Sequence, residues 1–190
     1  MVLNNEQIFL MRKKAVLSKK DQSSIGGWDK HILKLCNLIN SKEDYFTLSS
    51  CSGRASLIIA ENRKGPGLFL WRSHEKISLN ELKNELGKVK LRKQINFKCE
   101  PCALHVACKD FESAKKLLDY AIQKAGWKNS GMISSNHQFI LQLVSSEKIQ
   151  FPIMDKGKIL VDDKFLEIVV RDTNKILEKS WEKIKRLEKF

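Results

Sequence analysis

The order of apolar patterns along the chain limits what it can fold into. Apolar residues recur at the three-to-four spacing of helices near residues 5–18, 32–39, 111–125 and 165–187, and strand-like runs lie between these stretches. The runs do not alternate regularly with helices as they do in a doubly wound sheet. The order therefore predicts an α+β fold: a single compact domain with a mixed β-sheet flanked by helices, and not a Rossmann fold.

Three of the predicted helices have informative sequences. In the first, Ile8, Met11 and Ala15 are expected to face the core, with basic residues between them. The second has Asp29 as its expected N-cap, ahead of an apolar stripe formed by Ile32, Leu35, Cys36 and Ile39. The last spans residues 163–187, about 37 Å at roughly 1.5 Å per residue, and its stripe contains Phe165, Val169, Ile176, Leu177, Trp181, Ile184 and Leu187.

Charge indicates the class of partner. The 190 residues, which we expect to form one domain over residues 1–190, include 35 Lys and Arg against 22 Asp and Glu, a net charge of +13. Residues 1–95 are the more basic half, and residues 96–190 form the second half of the same core. The balance favours a polyanion, nucleic acid above all, although a solvated basic surface would give the same count. The candidate phosphate contacts are Arg12, Lys13, Lys14, Lys19, Lys20, Arg63 and Lys64.

The cysteines and the apolar stretches bear on compartment and metal content. There are five cysteines, an odd number, and no apolar stretch approaches the ~20 residues that span a bilayer. The N-terminus lacks the pattern of a signal peptide, so we expect a soluble cytoplasmic protein with reduced thiols and no membrane partner. Cys99 and Cys102 have the spacing of zinc ligands, but Pro101 lies between them and no second such pair exists, so no metal is expected.

The most unusual segment is Thr-Leu-Ser-Ser-Cys-Ser-Gly-Arg at residues 47–54. Its small side chains would let the backbone N–H groups of Ser50, Cys51, Ser52 and Gly53 converge on a carboxylate or phosphate. Arg54 can bind the same group through two hydrogen bonds. The segment predicts an anion pocket, and the alternative is a β-turn with a surface arginine.

Other polar residues follow or interrupt strand-like runs. His74 and His105 each follow such a run, where either can accept a proton or stack on a base, although each is also a common kind of partly buried histidine. Asn129, Ser130 and Gly131 interrupt another run, as a turn or a bulge would. The chain has neither a P-loop nor a Gly-x-Gly-x-x-Gly motif, so an ordinary ATP or dinucleotide site is not expected.

Six blocks in order resemble the tRNA wybutosine-synthesising protein 3 family, including its archaeal members. They are YFTLSSCSGR at residues 45–54, WRSH at 71–74, FKCEP at 97–101, LHV at 104–106, AGWKNSG at 125–131 and KG at 156–157. The resemblance runs along nearly the whole chain. It implies an S-adenosyl-L-methionine-dependent methyltransferase, not of the Rossmann type, that methylates N4 of the demethylated wyosine-type base at position 37 of tRNA-Phe.

The resemblance also suggests roles for the candidate residues. The carboxylate of S-adenosyl-L-methionine suits Arg54 and the segment Ser50, Cys51, Ser52 and Gly53, and its adenine and ribose suit Ser73, Asn129, Ser130 and Gly131. Arg54 can instead hold the carboxylate of the substrate. His74 is the first choice of proton acceptor, with His105 and Glu100 as alternatives. The basic residues would hold the anticodon stem-loop through its phosphates.

Two other functions fit the same residues. A non-catalytic RNA-binding module would use the same charge and aromatic residues, with RNA affinity independent of S-adenosyl-L-methionine. A thiol-dependent hydrolase or redox enzyme would use Cys51 with His74 or His105, and would lose its activity in Cys51→Ser.

Overall fold

The strands form two antiparallel sheets in the computed structural model, which describes residues 4–19, 29–61, 67–135 and 138–190. Within those residues the helices are α1 (Asn5–Leu17), α2 (Leu33–Ser41), α3 (Leu79–Lys88), α4 (Phe111–Tyr120), which continues as a π-helical segment (Ala121–Ala125), and α5 (Asp163–Leu187). The strands are β1 (Tyr45–Cys51), β2 (Arg54–Ile59), β3 (Phe69–Ser73), β4 (Ile95–Glu100), β5 (Ala103–Cys108), β6 (Gly131–Ser135), β7 (Gln138–Val144), β8 (Ile149–Asp155) and β9 (Lys158–Ile159).

The chain divides into two compact units, one around each sheet. Unit 1 comprises Met1–Ser52, Cys102–Ser146 and Trp181–Phe190 and contains the sheet β1-β5-β7-β6. Unit 2 comprises Gly53–Pro101 and Glu147–Ser180 and contains the sheet β3-β2-β4-β8-β9. That residues 1–190 act as one domain stays a prediction.

The expected α+β class is confirmed, and the fold is not a Rossmann fold. The detail of one mixed sheet is corrected, because the described strands pair antiparallel and in two separate sheets. The physical reason lies in two short connections. Only two residues separate β1 from β2, and only two separate β4 from β5, yet in each case the chain passes from one sheet to the other.

The core of unit 1 lies on one face of its sheet. Buried apolar residues of α2, α4 and the end of α5 pack there against β5 and β7, and they include Leu35, Leu117, Leu104, Leu141 and Ile184. Trp127 is fully buried in this core, and its Nε1 donates to the carbonyl of Lys183 over 3.2 Å. Phe9 of α1 packs on Phe46 with ring centroids 5.2 Å apart.

The core of unit 2 is built from α3, α5 and one face of its sheet. It includes Leu57, Leu82, Leu86, Phe97 and Leu166. A capping box, in which Ser78 and Glu81 exchange side-chain and backbone contacts, starts α3 as their spacing predicts. Asn174 of α5 accepts from the N–H of Ile77 and donates to its carbonyl, both over 2.9 Å, which anchors the segment between β3 and α3.

The sequence pattern predicts the last helix, α5, correctly but assigns the wrong core face to the first helix, α1. The long helix α5 has the predicted bounds, and Leu177, Ile184 and Leu187 of its stripe are buried. In α1, by contrast, Met11 is 60% exposed and Phe9 is the buried residue, so the predicted core face is wrong. Among the described residues, no helix combines the length and apolar character that crossing a bilayer requires.

Candidate active site

In unit 2, Gly53 and His74 are joined by a hydrogen bond. Gly53 has a φ of +104°, a conformation that side chains disfavour, and its carbonyl lies 3.0 Å from His74 Nδ1. Because a carbonyl only accepts hydrogen bonds, Nδ1 carries the proton when the ring is neutral. The lone pair of the neutral imidazole is therefore on Nε2, the nitrogen able to accept a proton.

Arg54 and Glu100 form an ion pair across β2 and β4, where they lie opposite each other. Arg54 Nε and Glu100 Oε2 are 2.6 Å apart, and the side chains are 28% and 42% exposed. A pair this exposed contributes less than about 1 kcal/mol to stability, so its main effect is to orient the guanidinium. The ring of Phe69 also orients the guanidinium, since its centroid lies 4.8 Å from Arg54 Cζ.

In unit 1, a buried carboxylate binds the segment that follows β1. Asp29 is 9% exposed; its Oδ2 accepts from the N–H of Ser52 over 2.7 Å, and its Oδ1 accepts from the N–H of His31 over 3.2 Å. Asp29 thus caps the turn that leads into α2, since its carbonyl also accepts from the N–H of Leu33 over 3.1 Å, whereas α2 itself begins at Leu33 with Ile32 as its N-cap.

The expected convergence of backbone N–H groups from Ser50 to Gly53 is also corrected. Ser50 and Cys51 belong to β1, in register with Leu104 and Ala103 of β5, and successive N–H groups of a strand point in opposite directions. The N–H of Ser52 is already bound by Asp29. The segment at residues 47–54 therefore forms the end of β1, a two-residue connection and the first residue of β2, and not a longer loop around an anion.

The hydroxyl of Ser52 is nevertheless available to a ligand. Ser52 is fully buried, and its Oγ has no hydrogen-bond partner among the described residues. Leaving a buried hydroxyl unsatisfied costs about 1–3 kcal/mol, so such groups usually mark a missing water or ligand. This observation fits a polar group of a cofactor at Ser52.

His105 of unit 1 lies opposite Ser49 on the neighbouring strand. Its Nδ1 is 2.8 Å from Ser49 Oγ, and either atom can be the donor, since a hydroxyl donates as well as accepts. In contrast to His74, this contact does not decide which ring nitrogen holds the proton.

Comparison with known proteins identifies the family. The family model described as Methyltransferase TYW3 matches residues 11–190. The chain belongs to this family. A protein of Archaeoglobus fulgidus named tRNA(Phe) 7-((3-amino-3-carboxypropyl)-4-demethylwyosine(37)-N(4))-methyltransferase is 36% identical over 185 residues, covering 96% of this chain and 91% of that protein.

Further relatives agree. A tRNA wybutosine-synthesizing protein 3 homolog of Danio rerio is 32% identical over 188 residues, covering 96% of this chain and 72% of that protein. The solved structure of the PH1069 protein from Pyrococcus horikoshii has a TM-score of 0.87 and 32% identity, with 99% of this chain and 97% of that one covered. The family resemblance of the motifs is confirmed.

Two of the residues assigned to adenine and ribose in this TYW3 chain have local structural contacts. Ser73 Oγ donates to the carbonyl of Glu75 over 3.2 Å and accepts from its N–H over 3.1 Å, which closes a turn after β3. Ser130 Oγ donates to the carbonyl of Trp127 over 2.7 Å and accepts from the N–H of Val144 over 3.0 Å. These contacts commit both hydroxyls to the fold, and their cofactor role stays a prediction.

The neighbours of Ser130 are also used by the sheet. The N–H of Asn129 donates to the carbonyl of Val144 over 3.1 Å, and Gly131 begins β6 opposite Gln142. The N–H of Asn129 is therefore used within the fold and does not point to a cofactor.

The basic residues in and just after α1 of this TYW3 chain differ in their surroundings. Lys14 and Lys19 are exposed, whereas Arg12 is half-buried with Cζ 6.0 Å from the ring of Phe46. Lys13 Nζ donates to the carbonyl of Lys42, and burial lowers its pKa. Lys13 is thus less suited to binding phosphate than its neighbours. Three further predicted contacts, Lys20, Arg63 and Lys64, lie outside the described residues.

The thiol of Cys99 is poorly suited to zinc. It is buried in β4, and burial raises its pKa to about 12. A zinc ligand must be a thiolate, which this environment disfavours.

The sequence does not show the contacts through which Asp29 and Phe69 act. Asp29 binds the N–H of Ser52, which lies 23 residues further along the chain, and no local pattern shows such a contact. Phe69 shares a face with Arg72, three positions later in β3, only because the pairing of β2 and β3 is irregular, and no sequence pattern shows that irregularity.

Proposed function

We propose that this chain is an S-adenosyl-L-methionine-dependent methyltransferase that methylates N4 of the 7-aminocarboxypropyl-demethylwyosine base at position 37 of tRNA-Phe, in the cytoplasm. The observation that carries the proposal is the 36% identity, over 96% of the chain, to the Archaeoglobus fulgidus protein named for that reaction. The net charge of +13 supports a polyanionic substrate.

The residues present fit the cofactor. S-adenosyl-L-methionine supplies an electrophilic methyl group when bound. In unit 2 Arg54, oriented by Glu100 and by the ring of Phe69, would bind a carboxylate. Both the cofactor and the aminocarboxypropyl group of the substrate carry a carboxylate, so Arg54 has two candidate ligands.

His74 is the best proton acceptor of the three candidates. Its contact with the Gly53 carbonyl leaves Nε2 as the basic nitrogen of the neutral ring. An oxygen of Glu100 already accepts from Arg54, and His105 is tied to Ser49 through Nδ1 without a defined tautomer. The substrate nitrogen must lose a proton when it gains the methyl group, and positioning supplies most of the remaining acceleration.

The anticodon stem-loop would contact the exposed cations in and just after α1. Lys14 and Lys19 are placed to bind phosphates, and Arg12 can add a contact beside the ring of Phe46. Lys13 contributes least because its ammonium is already bound to a carbonyl.

The test is methyl transfer from labelled S-adenosyl-L-methionine to tRNA-Phe isolated from a strain blocked at the demethylated intermediate, followed by mass analysis of nucleosides. We expect the nucleoside at position 37 to gain one methyl group. No transfer, together with tight and salt-sensitive binding of the tRNA, would instead support a non-catalytic RNA-binding module.

Variants separate this proposal from a thiol-dependent enzyme. Cys51→Ser should retain much of the methyl transfer, and Arg54→Ala should abolish it. If Arg54→Ala has lost cofactor binding, Arg54 holds the cofactor carboxylate; if only the KM for tRNA rises, it holds the substrate. Wild-type binding of both ligands by Arg54→Ala would overturn the assignment of Arg54.

A further inference from the structure

The two faces of the sheet in unit 2 differ in character. One face, which includes Ala55, Leu57, Phe97 and Cys99, is part of the hydrophobic core. The register places a different set on the opposite face, which we call the basic face: Arg54, Ser56, Phe69, Arg72, Lys98 and Glu100. Three cations share this face with one carboxylate.

The cations of the basic face are arranged in register. Arg72 on β3 and Lys98 on β4 lie on either side of Ser56 on β2. Because neighbouring strands are about 4.8 Å apart, the backbones of Arg72 and Lys98 are about 10 Å apart. This spacing lets the two side chains contact different phosphates of one polyanion.

Phe69 holds two of these cations in a defined orientation. Its ring centroid lies 4.8 Å from Arg54 Cζ and 5.7 Å from Arg72 Cζ. A guanidinium packed against an aromatic ring keeps its N–H groups in a planar array, and that array matches the oxygens of a phosphate. Phe69 is therefore a positioning residue for Arg54 and Arg72.

Ser56 is a second and independent feature of this face. The residue is fully buried between Arg72 and Lys98, and its Oγ has no hydrogen-bond partner in the part of the chain that the structure describes. A buried hydroxyl is ordinarily satisfied, so Ser56 offers an additional hydrogen bond to a bound group or a water.

We propose that the basic face binds the phosphate backbone of the RNA substrate. The occupant is RNA because the face combines multiple cations, an aromatic ring and polar groups, which is how proteins bind single-stranded nucleic acid. Arg72 and Lys98 bind phosphates, and Phe69 fixes the guanidinium of Arg72. The identity of the partner rests on the proposed function, whereas the position of the binding surface rests on the sheet.

The test compares two double variants that remove the same charge from unit 2. Arg72→Gln/Lys98→Gln alters the basic face, and the matched control Lys164→Gln/Lys179→Gln alters two exposed lysines of α5. Binding of an unmodified transcript of the tRNA-Phe anticodon stem-loop is measured by fluorescence anisotropy over a range of salt concentrations. Circular dichroism confirms that both variants are folded.

We expect the basic-face variant to bind at least about tenfold more weakly at low salt, and its slope of log K against log salt to be shallower by about 1–2. The control should change the slope by much less. The single variant Lys98→Gln gives a simpler measurement, because within the described residues Lys98 makes no ion pair. Phe69→Leu should weaken binding without removing a charge, and therefore with little change of slope.

Two outcomes overturn the proposal: equal losses in the basic-face and control variants, or unchanged binding in the basic-face variant. Methyl transfer is measured in parallel to keep the two proposals separate. If the wild-type protein transfers no methyl group but the basic-face variant alone loses affinity, the proposed function fails and the surface stands. If methyl transfer occurs and its KM for tRNA is the same in the basic-face variant, the surface assignment fails alone.

Discussion

The backbone N–H of Ser52 donates to Oδ2 of Asp29 over 2.7 Å, so a buried carboxylate fixes the residue that follows β1. The same side chain accepts from the N–H of His31. A carboxylate this buried is retained only where its hydrogen bonds offset the cost of removing it from water. Asp29 thus holds the polar segment in place from 23 residues away.

The first prediction concerns Asp29. Asp29→Ala leaves two backbone donors without their acceptor, and we expect the free energy of unfolding to fall by about 2–4 kcal/mol. Urea denaturation measures the loss. The comparison is Asp110→Ala, which removes an exposed N-cap of α4 and should cost only about 1 kcal/mol. Equal losses in the two variants would show that the contact with Ser52 carries no special weight.

The second prediction concerns His74. In His74→Asn, the side-chain amide can still donate to the Gly53 carbonyl in place of Nδ1, but the basic Nε2 is gone. We expect the fold to survive and kcat for methyl transfer to fall by about 10²–10⁴.

His105→Asn serves as the comparison for His74→Asn. Its neighbour Ser49 can keep a hydrogen bond to the new amide, so the variant tests the other histidine at similar structural cost. If His105→Asn shows the larger loss of kcat, the two histidines exchange roles and the assignment of His74 is wrong.

Sequence patterns predicted elements well where many residues repeat one signal. The helix α5 was predicted with its observed bounds because its apolar stripe is repeated through seven turns. In α1, four consecutive apolar residues, Ile8 to Met11, surround the helix, so periodicity does not select a face. The contact of Phe9 with Phe46 makes that choice, and it depends on a strand nearly 40 residues away.

The candidate residues could be chosen from the sequence, whereas their contacts could not. Arg54, His74 and Ser52 were identified as candidates from local composition. Their partners Glu100, Gly53 and Asp29 depend on strand register and on a two-residue connection, and local sequence encodes neither. Because the connection between β1 and β2 has only two residues, the sequence does not indicate that these strands belong to different sheets.

The third prediction concerns thiol reactivity. Burial raises the pKa of Cys36 to about 11 and those of Cys99 and Cys108 to about 12, so all three are protonated and inaccessible at neutral pH. Cys102 is also fully buried, and Cys51 is half-buried. Iodoacetamide at pH 8 should therefore modify Cys51 first in the folded protein, and mass spectrometry of peptides locates the label. Prior modification of Cys99 or Cys108 would contradict the burial.

The fourth prediction concerns alkaline stability. Folding raises the pKa of Cys99 and Cys108 from 9.0 to about 12, and that of Tyr45 from 10.0 to about 12, chiefly through burial. The folded state therefore holds these protons more tightly than the unfolded state. Their contribution is fully present below about pH 9 and is lost as the pH rises toward 12.

The measurement for the fourth prediction is urea denaturation between pH 7.5 and 10.5. We expect a nearly constant free energy of unfolding up to about pH 9, followed by a decline of roughly 1.4 kcal/mol per pH unit for each such group. Cys99→Ala/Cys108→Ala should make the decline shallower. A free energy that rises above pH 9, or an identical decline in this variant, would contradict the role of the buried thiols.

The last prediction concerns Gly53, whose φ of +104° accompanies the hydrogen bond that its carbonyl accepts from His74 Nδ1. Gly53→Ala places a Cβ on a backbone conformation that costs about 1–3 kcal/mol for other residues. The control Gly157→Ala makes the same change at a φ of +80° in the turn between β8 and β9 of the same unit. Both variants should lose stability, but only Gly53→Ala should lower kcat beyond the effect of unfolding, because relief of its strain moves the carbonyl that sets the tautomer of His74. Equal kcat in the two variants, measured well below their melting temperatures, would separate Gly53 from the chemistry and leave it a purely conformational role.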